Sequence, residues 1–315
     1  MNLYPLLMAP SFRHGEETPW GGHMLRDALL KDAPEDAVGE SLEISDLPGH
    51  ESMVANGPHA GKSLSRMIEL WGDDLTGPTG GDFPLLLKLL DPVLPLSVQV
   101  HPDDAYAAAH ENGKRGKTEA WIILNAEPGS QIIYGADTNG ERLDKLVSEG
   151  RLKEGLRFVN VRPGDVYYIP SGMLHALCEG VMVYEIQQSS DVTYRFYDWG
   201  RTDSKGNKRE LHIDKALDVV DLSVRQEKAV SVPIGPGREQ LLKEKYFSLQ
   251  RWQKTEGTLK ADPRCFRILT ALGETALFWE KNSMTISAGQ TVLLPARGYD
   301  LSIRTEEALI SYPTV

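Results

Sequence analysis

Cysteine is almost missing from this 315-residue chain, with only Cys178 and Cys265 present and no C-x-x-C pair. That scarcity argues against a thiolate metal site or a disulfide framework, and two buried free thiols are expected. Long apolar runs are missing too. No stretch approaches a membrane span, and the start MNLYPLLMAPSFRHGEE lacks the basic residues and extended apolar segment of a signal peptide. A cytoplasmic protein with no membrane partner is the expectation. Basic charge is in deficit, with 34 Lys and Arg against 45 Asp and Glu and a net charge of −11. No basic stripe is visible to neutralise a phosphate backbone, so no nucleic-acid partner is expected. A small anionic ligand remains compatible if a few local cations bind it against the overall field. With 41% hydrophobic residues the chain has an ordinary globular composition, and it is long enough for two units. The oligomeric state is left open by the sequence.

Most segments alternate with period two between Gly, Pro and Asp/Asn turns, the pattern of an all-β barrel or sandwich. Helices are few. KSLSRMIELWG sets Leu64, Met67, Ile68 and Trp71 on one stripe, RLDKLVSEG groups Leu143, Leu146 and Val147, and DDAYAAAHENG begins with acids and stops at Gly113. SVPIGPGREQ (231–240) has the turn chemistry of a linker. A boundary there divides the chain into a catalytic domain with short helical insertions (1–235) and a smaller β domain (236–315). An internal repeat supports the division. RPGDVYYIPSGMLHAL overlays SAGQTVLLPARGYDLS, matching Gly164 with Gly289 and Pro170 with Pro295, but His175 with Asp300. The first copy is equipped for chemistry and the second is expected to be structural.

In LSVQVHP (96–102) strand alternation puts Ser97, Gln99 and His101 on one face and Val98 and Val100 on the other. GDVYYIPSGMLH reads G-x5-P-x-G-x2-H and resembles the second motif of the cupin barrels, in which the histidine points inward to a metal. The first cupin motif has its counterpart in Gln99-x-His101, followed by Glu119 in GKTEAW. Two imidazoles, a carboxylate and an amide oxygen suit a borderline divalent ion, zinc first and iron or manganese behind it. Simpler readings stand beside these: Gln99 as a strand hydrogen-bonding group, and His175 as a satisfied core histidine. In TYRFYDW, alternation puts Arg195, Tyr197 and Trp199 on one face, either as a functional arginine or as one stacked on surface aromatics. Glu185, on a strong strand in VMVYEIQ, is either a base with a raised pKa or an anchor for a cation. Lys88 in the apolar run FPLLLKLLD either meets a core carboxylate or reaches a cavity.

Taken together, LKLLDPVLPLSVQVHPDDAYA, GKTEAW, IPSGMLHAL and SSDVTYRFYDWGR resemble the type I mannose-6-phosphate isomerases of the compact bacterial kind. The likeness runs from PWGG (19–22) and GESLEIS (39–45) through the second repeat. It implies a cupin (jelly-roll) barrel carrying the site, with a degenerate cupin-like β domain behind it, and a sugar-phosphate substrate. It implies one Zn2+ held by Gln99, His101, Glu119 and His175, and an active-site arginine at Arg195. Lys117 fills the K-x-E position, with Thr118 where longer relatives have Pro. Ser97, Lys117 and Arg195 are then candidate substrate contacts, and Arg195, Lys117 and Glu185 candidate catalytic groups. The rival readings are an iron-dependent oxygenase, a non-catalytic sugar-phosphate-binding cupin and a cupin isomerase of another sugar phosphate. The first has no use for paired cations near an anionic substrate, and the second is expected to lose metal ligands.

Overall fold

The computed structural model describes residues 3–34, 36–202 and 205–315. Its strands form three sheets. The central one is six-stranded and antiparallel, ordered Val166–Ile169, Glu119–Ala126, Val181–Gln188, Leu85–Leu90, Val38–Ile44 and Ser11–His14. A five-stranded sheet faces it, ordered Tyr194–Tyr197, Val98–Val100, His175–Leu177, Gln131–Ala136 and Leu156–Asn160. Trp20, Leu90, Trp121, Ile123, Ile132, Tyr134, Tyr167 and Val183 fill part of the space between the two, closing a cupin-type barrel. The ten-stranded third sheet packs on the outer face of the central one.

The burial on both faces explains why Phe83–Asp91 reads as a continuous apolar run. Leu85, Leu87 and Leu89 join the core shared with Phe247, Leu249, Phe266, Ile268, Leu293 and Leu309 of the third sheet. Leu86, Lys88 and Leu90, of the opposite parity, line the barrel interior. The same division holds along Val181–Gln188, where Tyr184 and Ile186 face outward to that core and Glu185 faces inward. Polar side chains on these strands can therefore lie only on the inner face or in a satisfied network.

Three expected helices form as Leu64–Trp71, Leu143–Ser148 and Asp104–His110, with Leu64, Met67, Ile68 and Trp71 all buried. The linker reading of 231–240 needs correction: Val232–Gly235 and Arg238–Lys243 pair as an antiparallel hairpin. Pro236-Gly237 is its turn, with Gly237 at φ +63, so the turn chemistry here joins two strands. The N-terminal strand Leu6–Ala9 pairs with Thr291–Leu294 and with Met53–Val54, so early residues belong to the third sheet.

The repeat is visible in three dimensions. Val166–Ile169 pairs with Glu119–Ala126 as Thr291–Leu294 pairs with Arg267–Ala271. Gly164 and Gly289 head these strands at φ +88 and +82, a left-handed backbone that favours glycine. At the position matching His175, Asp300 is exposed and its Oδ1 accepts a hydrogen bond from the Ala261 N–H at 2.9 Å. No helix among the described residues is long and apolar enough to cross a membrane. Cys178 and Cys265 are free and buried.

Candidate metal centre and active site

Three ligand candidates converge from three strand ends. His101 follows Val98–Val100, His175 opens His175–Leu177, and Glu119 opens Glu119–Ala126 on the facing sheet. One ligating atom of each lies within 4.8 Å of the others, and all three residues are buried. Backbone carbonyls fix the imidazoles. His101 Nδ1 is 3.0 Å from Val192 O and His175 Nδ1 is 2.8 Å from Met173 O. Each Nδ1 then carries the proton, because a carbonyl can only accept, and both Nε2 lone pairs point at the centre. The two Nε2 atoms are 3.2 Å apart. Glu119 Oε2 is 3.5 Å from His101 Nε2, and Oε1 is 3.3 Å from His175 Nε2.

These residues fit a metal. Ligands at zinc-like bond lengths around a tetrahedron stand about 3.3 Å apart. Two facing lone pairs beside a carboxylate have nothing to share without a cation. Both Glu119 oxygens are buried without a well-aligned hydrogen bond, although Lys117 Nζ lies 2.9 Å from Oε2. Burial, then the Lys117 charge, pulls the His101 pKa down to about 3, so the ring is a neutral donor at ordinary pH. Glu119 is held well below the usual carboxylate range; burial opposes this, but Lys117 and His175 outweigh it.

Gln99 is opposite both His175 and Arg195 in the strand register, and its side chain lines an adjoining cavity of about 410 Å³. Such a volume suits a small metabolite. Ser97, Lys117, Glu185 and Arg195 line it too, so every candidate drawn from the sequence lies in the cluster or on the cavity wall. Val98 and Val100 lie in a core on the other side of their strand, as alternation requires. One alternation fails. The strand carrying Arg195 ends at Tyr197 after a register shift, and Trp199 has φ +59. Its indole N–H donates to Leu96 O at 2.6 Å, so Trp199 does not continue the Arg195 face.

Charge inside the cavity is arranged in pairs. Lys88 meets both options left open by its sequence: it lines the cavity, with Nζ 3.2 Å from Glu40 Oε2 and 3.6 Å from Glu185 Oε1. Glu185 Oε2 accepts from Trp121 Nε1–H at 2.9 Å. Burial and then the Glu119 charge raise the Glu185 pKa, against the pull of Lys117 and Lys88. Glu40 is lowered: burial opposes this, but Lys88 and Arg13 prevail. Lys117 is raised, as Glu119 and Glu185 overcome its burial. Arg209 donates to Asp198 at 2.7 and 2.5 Å. Arg195 differs. Among the described residues no carboxylate lies within ion-pair distance of it, its Nε is buried without a partner, and burial lowers its pKa. Glu40 and Arg209 had gone unremarked in the sequence reading. In GESLEIS Glu40 stands between Gly39 and Ser41, so no local apolar pattern marks it as a partner for Lys88.

A cupin-type barrel with a His–Glu–His centre opening on a cation-lined cavity defines a metal-dependent cupin of small anionic ligands. The family described as phosphomannose isomerase type I, catalytic domain, matches residues 13–126. Mannose-6-phosphate isomerase ManA of Bacillus subtilis is 37% identical, over 94% of this chain and 94% of its own. The mannose-6-phosphate isomerase of Streptococcus mutans is 36% identical, over 88% of each. The crystal structure of the mannose 6-phosphate isomerase from Bacillus subtilis superposes with a TM-score of 0.91 at 36% identity, covering 98% of this chain and 99% of that one. The chain belongs to the type I phosphomannose isomerase family.

Proposed function

We propose that this protein is a metal-dependent aldose–ketose isomerase that interconverts mannose 6-phosphate and fructose 6-phosphate through an enediol-type intermediate. One observation carries the reading: a buried His–Glu–His cluster with tetrahedral separations adjoins a cavity walled by cations, with Glu40 and Glu185 among its carboxylates. The ion is zinc, one per chain, held by His101, Glu119 and His175 with Gln99 as the fourth donor. Two imidazoles with a carboxylate favour it over harder cations. When bound, it supplies Lewis-acid polarisation of the sugar oxygens, because one carboxylate cancels only part of its charge.

The chain's own residues do the rest. Arg195, with no carboxylate to satisfy, takes the phosphate in fork geometry, with Ser97 beside it. Lys117 offers its ammonium to the oxygen that gains charge in the enediolate. Glu185 removes the C2 proton of mannose 6-phosphate and returns it to C1, while the O2 proton passes to O1. Its raised pKa suits a base that must also release the proton. Lys88 and Trp121 aim it. A non-catalytic binder would have no need of an aimed carboxylate beside a complete ligand set.

The test is turnover of mannose 6-phosphate by chelator-stripped protein before and after zinc is added. Restored turnover is the expected result. A folded protein inactive with zinc, manganese and iron alike would refute the isomerase reading.

A further inference from the structure

The ligands His101 and Glu119 come from facing sheets, and the strand ladders do not join them directly. Something else must set their spacing. The segment that carries Lys117 into Glu119 has three successive amides, none paired in a ladder at that point. Gly116 N–H donates to Asp104 Oδ1 at 3.0 Å, Lys117 N–H to Pro102 O at 3.0 Å, and Thr118 N–H to Gln188 Oε1 at 3.0 Å. Gln188 in turn donates through Nε2 to the same Asp104 Oδ1 at 2.9 Å. Pro102 directly follows His101 and Asp104 lies three residues past it, so the chain just past one ligand grips the chain just before the other.

The fit is close. A Cβ on Gly116 would stand 2.3 Å from Asp103 C and 2.5 Å from Asp104 N. Asp104 is the first residue of the helix Asp104–His110, yet the capping is done by its neighbour: Asp103 Oδ1 accepts from Tyr106 N–H at 2.8 Å. The Asp104 carboxylate is thereby left for the ligand segment. Its second oxygen accepts from the Tyr246 hydroxyl at 2.7 Å, and Tyr246 directly precedes the long strand Phe247–Leu259 of the third sheet.

We propose that Asp104 is a positioning residue that sets the distance between His101 and the Lys117–Glu119 segment, and that through Tyr246 the third sheet holds the metal centre in register. The inference rests on the metal-dependent reading above. Groups hydrogen-bonded directly to metal ligands commonly change affinity ten- to a hundredfold when removed, and Asp104 acts one step further out, through the backbone beside the ligands.

The experiment is zinc affinity of the metal-free full-length chain, measured by competition with a chromophoric chelator. Asp104→Ala is expected to weaken zinc binding about tenfold, the low end of that range. Asp104→Asn, which keeps an acceptor oxygen, should recover most of it. Tyr246→Phe leaves the other two bonds and should cost about threefold, a fraction of the full effect. Asp103→Ala loses the helix cap but none of these contacts, and should stay within about twofold of the unaltered chain.

Unchanged affinity in Asp104→Ala, or an equal loss in Asp103→Ala, would overturn the proposal while leaving the metal centre intact. If Asp104→Ala does not fold, Tyr246→Phe decides: a measurable loss supports the proposal and unaltered affinity overturns it. An unaltered chain that binds no zinc would remove the metal reading, and this inference with it.

Discussion

Replacing His101 with glutamine in the metal-free protein should flatten the response of stability to mild acid. The His101 ring is buried, and burial, then the Lys117 charge, lowers its pKa to about 3 from 6.5. Its contribution follows from the two states. In the unfolded chain the ring takes a proton as pH falls through about 6.5, whereas the folded ring stays neutral until about 3. Stability is therefore lost as pH falls between those values. Each unit well below 6.5 costs about 1.4 kcal/mol, which comes to about 2 kcal/mol between pH 7 and pH 5. The comparison of the two proteins isolates the histidine, because the raised carboxyls of Glu185, Asp46 and Asp91, whose contribution has the opposite sign, titrate in both. The lowered carboxylates, Glu40 and Glu119, contribute stability above their unfolded pKa and lose it only further into acid. Half-buried His212, also lowered by burial, adds a term of the same sign that both proteins share. Urea unfolding of chelator-stripped protein at pH 7 and pH 5, with and without His101→Gln, measures the difference. Equal pH dependence in the two proteins would show that His101 is not held neutral by burial, and the geometry argued for its Nε2 would fall.

The remaining predictions address the other parts of the site. His175→Ala should abolish stoichiometric zinc binding and turnover while circular dichroism shows a folded barrel; full zinc content would remove His175 from the centre. Arg195→Ala should keep its zinc and lose most activity at low substrate, with the loss concentrated in KM for the phosphorylated sugar; unchanged kinetics would take the guanidinium out of the cavity's work. Glu185→Gln keeps the Trp121 contact geometry but cannot accept a proton, and should lower kcat about a hundred- to ten-thousandfold with metal content preserved. Leu87→Ala, in the core between the central and third sheets, should cost about 2–5 kcal/mol in chemical denaturation without changing zinc stoichiometry.

Local sequence carried a large share of this site. Alternation in LSVQVHP predicted that Ser97 and Gln99 leave the core together, and both line the cavity, while Val98 and Val100 are buried away from it. Likeness to the two cupin motifs did as much for His101, Glu119 and His175, which meet as a cluster. Where local reading failed, long-range pairing had intervened. TYRFYDW alternates on paper, but pairing with Val98–Val100 shifts register and the chain turns at Trp199. SVPIGPGREQ has a linker's composition, yet both its ends find strand partners.

The sequence by itself determined the strand faces and the unequal repeats, because side-chain parity is a property of neighbouring residues, and its likeness to the cupin motifs offered the donor set. Only the tertiary structure decided which charges meet. Lys88 lies between Glu40 and Glu185, and Asp198 takes Arg209 while Arg195 stays unpaired by any carboxylate among the described residues. It also sent Leu6–Ala9 into the distant third sheet, and Tyr246 to Asp104. Those contacts join residues far apart in the chain, and their energies depend on distance and burial, which no window of sequence contains.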